Sequence, residues 1–199
     1  MSLDPTMVSM LQKTRALSED MLQHSVEVFT YTNSNIWTLA EPHIQSITQV
    51  LLNGNPLGVG ESYTWNPISN KITITGHTFV STDILEVDYG FTKYSDTEVM
   101  EYIRAALVWL SIHDYSSDTY HLRTDGIVVP TPEPKTLDLV CIIASILIKP
   151  NYIHYRMPNL AINYPNRMTQ EEKIRNIISY FKRGVGVVQI IEWNRSPGL

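Results

Sequence analysis

Cysteine is nearly absent: Cys141 stands alone in 199 residues. No internal disulfide can form, so packing and hydrogen bonding must hold the fold. That usage fits a reducing compartment. Positive charge is also scarce, with 15 Lys and Arg against 20 Asp and Glu and a net charge of −5. A protein that coats duplex DNA through bulk positive charge is thereby excluded. Long hydrophobic runs are lacking as well. The most apolar stretch, Leu137 to Ile148, falls well short of the roughly 20 residues that span a bilayer, and is expected to be a buried core helix. The N-terminal stretch holds no basic region followed by an apolar run, so neither a secretory signal nor a membrane partner is predicted.

Motifs that carry chemistry are equally thin. Histidines 24, 43, 77, 113, 121 and 154 form no HxxxH or HxxEH pair, so a zinc site is not expected. Cys141 lies in the most apolar segment, where a packed thiol is expected rather than an exposed nucleophile. Gly58-Val-Gly60 and Gly184-Val-Gly186 do not make a phosphate loop, and no GxSxG elbow is present. Asp114, Ser116, Asp118 and Asp125 have the spacing of a calcium loop. Thr119, however, stands where the sharp turn needs glycine, and Asp125 is shorter than the usual Glu. A solvated acidic loop is the expectation there. No catalytic residue, metal or cofactor is predicted, and the chain reads as non-enzymatic.

What is present is a globular balance of 43% apolar and 18% charged residues, enough for a packed core. Met7, Met10, Thr14, Leu17 and Met21 recur at helical spacing, behind Asp4 as a cap and Pro5 in the first turn. They predict a helix over 4–22. From residue 25 to 93 the period changes to that of strands: Ser25–Tyr31, Ile72–Thr75 and Ile84–Tyr89. Asn53-Gly54 and Ser69-Asn70 mark tight turns. This segment predicts an antiparallel meander of five or six strands. Helices are then expected over 95–113, behind the capping box Ser95–Glu98, over 136–149, and over 168–183, behind the capping box Thr169–Glu172. Residues 114–135 are expected to be an exposed loop, extended near Val128 to Pro134, and 150–168 an irregular connection.

The predicted class is α+β: a bundle of about four helices (1–24 and 94–184), with an antiparallel β module (25–93) inserted between helices 1 and 2. Residues 185–199 follow as a C-terminal arm. Charge divides along the chain. Residues 1–148 carry 7 basic and 17 acidic side chains, and residues 149–199 carry 8 basic and 3 acidic. Such polarity suits head-to-tail association. The basic quarter also holds Tyr152, Tyr155, Tyr164 and Trp193. Aromatics beside arginine are the composition of protein interfaces, though structural anchoring and base stacking stay open. The strand signature Val187–Trp193 could add a strand to a partner's sheet edge. Candidate partner-binding residues are Trp193, Ile190, Ile191, Arg195, Tyr152 and Tyr155.

Two stretches resemble known families. Ile47-Thr-Gln-Val-Leu-Leu-Asn-Gly-Asn-Pro-Leu, Glu61-Ser-Tyr-Thr-Trp, Lys71-Ile-Thr-Ile-Thr and Asp83-Ile-Leu-Glu-Val-Asp-Tyr together resemble a small β module. It is common in virion proteins of tailed bacteriophages, including fibres and neck proteins. Tyr94-Ser-Asp-Thr-Glu-Val-Met-Glu-Tyr-Ile-Arg-Ala-Ala-Leu, with the apolar helix around Cys141, resembles the helical core of phage head–tail connector (adaptor) proteins. The resemblance implies a ring subunit of the virion neck, made in the host cytoplasm. Its implied partners are the portal protein, tail and neck proteins and further copies of the chain, with genome DNA passing through the ring unread. A tail-fibre or baseplate component is the other role it implies.

Overall fold

The computed structural model of the chain describes residues 4–116, 119–123, 126–151, 154–157, 160–164, 167–183 and 191–192, with the backbone alone at 155–157, 160, 161, 191 and 192. Within these residues the class is α+β, with four helices and mostly antiparallel sheets. The helices are α1 (Pro5–Ser18), α2 (Asp96–Ile112), α3 (Pro134–Ile148) and α4 (Gln170–Lys182). Seven strands lie between α1 and α2 in sequence: β1 (Gln23–Thr30), β2 (Ile36–Thr38), β3 (Ile44–Leu52), β4 (Asn55–Pro56), β5 (Ser62–Asn66), β6 (Lys71–Thr75) and β7 (Ile84–Phe91). Five short strands follow α2: β8 (His121–Leu122), β9 (Val128–Val129), β10 (His154–Met157), β11 (Leu160–Asn163) and β12 (Ile191–Glu192). The β structure is therefore only partly an insertion between the first two helices. The chain divides into two compact units, Met1–Asp20 with Asp96–Leu199, and Met21–Ser95.

In the helical unit, α1 begins as its sequence dictates. The Asp4 carboxylate accepts from the Thr6 N–H at 2.8 Å, and Pro5 takes the first turn. The helix stops at Ser18, four residues before the expected end, because Glu19 adopts a left-handed φ of 53° and its N–H turns back to the Ala16 carbonyl. Met7, Met10, Thr14 and Leu17 are buried as their spacing predicts, but Met21 lies past the helix end and is 57% exposed. α3 packs against α1, α2 and α4, and Leu139 through Ile146 are all buried. A helix apolar on every side has to be enclosed. Arg15 binds both Asp20 and Asp96, the latter at 2.7 Å. It thus ties the end of the unit's first segment to the start of its second.

Two stretches expected to be irregular carry strands. β8 and β9 pair antiparallel within 114–135, where Tyr120, Val128 and Pro132 are buried. A ladder satisfies the backbone groups that such burial removes from water. β10 and β11 form an antiparallel pair within 150–168. Pro150 falls before those strands, where a missing N–H costs no ladder bond.

The β unit is not a meander. β1, β7, β3 and β4 form one sheet in that order, and β2, β6 and β5 form a second. β1 pairs with β7 from Gln23↔Phe91 to Thr30↔Ile84, so the first strand meets the last. Trp37, Ile72 and Ile74 of the second sheet share a core with Val50, Leu85, Val87 and Tyr89 of the first. Burying apolar faces on both sheets requires two layers, which a single meander cannot provide. The Asn53-Gly54 hairpin forms as expected, with φ of 53° and 77° joining β3 to β4. Asn70, at φ 51°, turns β5 into β6. Tyr89 is fully buried and its hydroxyl donates to Glu27. Burial, and then that contact, pushes the phenol up to about 12.

Candidate docking sheet

The basic quarter of the chain builds a three-stranded sheet in the order β10-β11-β12. β10 and β11 are antiparallel, from His154↔Asn163 to Met157↔Leu160. β12 adds in parallel, through Ile162↔Ile191 and Asn163↔Glu192. Two of the six candidate residues are thereby brought to one rung: Tyr155 opposite Ile162, and Ile162 opposite Ile191. Their Cα atoms lie about 9–10 Å apart across two inter-strand spacings. Tyr152, Ile190, Trp193 and Arg195 lie outside the described residues, as do Gly184 and most of the arm.

Helix α4 meets this sheet at Ile162. Its N-terminus is the predicted capping box: the Thr169 hydroxyl accepts from the Glu172 N–H at 3.2 Å, and the Glu172 carboxylate accepts from the Thr169 N–H at 2.8 Å. The Thr169 N–H, and then its hydroxyl, donate to that carboxylate and hold the Glu172 carboxyl below its usual range. Ile174, Ile177, Ile178 and Phe181 form the buried face. Ile162 and Tyr164 meet Asn176, Ile177, Tyr180 and Arg183 around a small cavity of about 110 Å³. Beneath it the Tyr164 hydroxyl donates to the Lys173 carbonyl at 3.1 Å.

Lys173 itself is buried, which its place in a charged stretch of sequence does not announce. Its ammonium donates to the Pro150 carbonyl at 2.6 Å and sits 5.9 Å from the Tyr164 ring centre. Burial lowers its pKa. Pro150 stands two residues past the end of α3, so Lys173 joins α4 to the turn that follows α3. The surrounding chemistry is aromatic and aliphatic with cationic residues at the margin: Arg167 and Arg183 are exposed. The Cys141 thiol is fully buried in α3, and burial pushes it up to about 12, which keeps it an unreactive thiol. Among the described residues no group of three or more His, Cys, Asp or Glu is arranged to hold a metal ion. Among the same residues no helix is long and apolar enough to cross a membrane. No protein-family model matches the chain, and no curated protein matches it in sequence.

Proposed function

We propose that this chain is a non-enzymatic virion protein of a tailed phage, a ring subunit of the neck that joins portal to tail. Its helices would act as the connector's bundle, with the β module inserted after the first. The observation that carries this reading is strand addition in the C-terminal quarter. Ile191–Glu192 enters the sheet edge beside β11 through two residue pairs, on the rung that also holds Tyr155. A strand added at a sheet edge can be exchanged onto an equivalent edge of another subunit. The basic C-terminal quarter and the acidic remainder favour head-to-tail contact between subunits, the arrangement that closes into rings. Sequence resemblance to connector proteins points the same way.

Native mass spectrometry of the purified chain, alone and with the phage portal ring, tests the reading. A monomer that loads the portal in a multiple matching the ring supports it. A stable trimer that ignores the portal overturns it in favour of a fibre or baseplate component. One observation favours that second role. The face of the β2-β6-β5 sheet that carries Ile36, Thr64, Asn66, Lys71 and Thr73 lines an open groove of about 380 Å³, polar enough to bind a host glycan or protein.

A further inference from the structure

A second cluster, in the β unit, is unrelated to the docking sheet and independent of the proposed role. His77 lies between two carboxylates. Its Nδ1 is 2.7 Å from Glu61 Oε1, and its Nε2 is 3.0 Å from Asp83 Oδ2. Ionised carboxylates accept hydrogen bonds and cannot donate them. A neutral imidazole carries one N–H, so its bare nitrogen would face the lone pairs of one carboxylate. Both contacts are hydrogen bonds when the ring is an imidazolium.

The two carboxylates differ in what else they hold. Asp83 also accepts from Asn53 Nδ2 and from the Val80 N–H, each at 2.8 Å, and its side chain is almost wholly buried. Glu61 takes the Gly58 N–H on its other oxygen at 2.6 Å, and water reaches it more freely than Asp83. Phe79 meets the imidazole edge-on at 4.7 Å, and Tyr31 stacks on Phe79. Tyr31 is the remaining titratable side chain of the cluster. Beyond Glu61 the loop carries Val59, fully exposed between Gly58 and Gly60. Its other anchor is close backbone approach, since a Cβ on Gly76 would sit 2.1 Å from the Gly60 carbonyl oxygen.

We propose that Glu61, His77 and Asp83 form a proton-operated clasp, which holds the Val59 loop while His77 is an imidazolium and releases it when His77 becomes neutral. The proton leaves to solvent. The neutral ring keeps one N–H for Asp83, and Glu61 turns to water. These contacts raise the His77 pKa, with Asp83 the larger cause and Glu61 next. Asp83 is lowered to about 2 by the Asn53 amide, then the Val80 N–H and then His77, and Glu61 is lowered by the Gly58 N–H and then His77. The clasp is therefore complete below the ordinary histidine value of 6.5. It is lost as pH rises through the higher folded value.

Side-chain ¹H–¹⁵N correlation spectra of the full chain, titrated from pH 5 to 10, test this alongside amide hydrogen exchange at Gly58 and Glu61. The expected result is a His77 protonated on both nitrogens at pH 7 and titrating above 6.5. Exchange at Gly58 and Glu61 should then accelerate through that midpoint, relative to the exposed turn amide of Gly54. Glu61→Gln leaves the Asp83 contact in place. It should lower the His77 midpoint, each unit being a tenfold loss of proton affinity, and abolish the differential exchange. A neutral His77 at pH 7, loop amides that ignore its titration, or an unmoved midpoint in Glu61→Gln overturns the clasp.

Discussion

Arg15 shows how much one side chain can carry. Its guanidinium is nearly buried and binds Asp20, whose carboxylate is buried, as well as Asp96. Arg15→Ala would remove the buried guanidinium from the Asp20 carboxylate, and breaking such a pair costs about 3 kcal/mol or more. Urea unfolding should show that loss, and Arg15→Lys should recover only part of it, since an ammonium lacks the planar fork. The glycines separate backbone conformation from space. Gly54 and Gly76 both have positive φ, 77° and 83°, but a Cβ on Gly54 meets nothing within 4 Å. Gly54→Ala should therefore cost about 1–2 kcal/mol, the conformational penalty alone. Gly76→Ala adds a clash with the Gly60 backbone and should cost clearly more. Equal losses in thermal unfolding would contradict this account.

At the scale of elements, α3 and α4 are stabilised differently. α3 forms no side-chain cap at its N-terminus; enclosure by three other helices holds it. Ile143→Ala should leave a cavity and cost about 2–5 kcal/mol. α4 is held by one buried face and its capping box, so Thr169→Ala should cost about 1 kcal/mol. Chemical denaturation of the two variants should rank them in that order. The strands that follow α2 show why pattern reading fails on short elements. β12 falls inside the strand signature Val187–Trp193, whereas β8 and β9 span two residues each, too few for any period to register. Pairing partners decide them.

For the whole molecule, the C-terminal segment is the element whose removal should separate folding from assembly. Deleting residues 185–199 removes β12 but leaves α1 to α4 and the β unit's core in place. Circular dichroism should stay helical and thermal unfolding cooperative, while ring formation on the portal is lost in native mass spectrometry. Loss of the fold would refute the docking role of this segment. If charge polarity between the acidic and basic parts steers assembly, loading should weaken as salt rises from 0.05 to about 0.5 M, where screening shortens to a few ångströms. Insensitivity to salt would leave apolar contact as the driving term.

Local rules in the sequence determined what neighbours in the chain can settle among themselves. Asp4-Pro5 and Thr169–Glu172 start their helices, Asn53-Gly54 turns its hairpin, and the apolar run at Leu139–Ile146 dictates burial. Of the six candidate docking residues, the structure places Tyr155 and Ile191 on one rung with Ile162, which composition did not say. The tertiary structure alone decided the pairing of β1 with β7, the two-layer β unit, the buried Lys173, and the meeting of Glu61, His77 and Asp83. These contacts join residues separated along the chain, and the backbone between them has many possible paths. Their free energy comes from burying faces and pairing charges together, which no local spacing encodes.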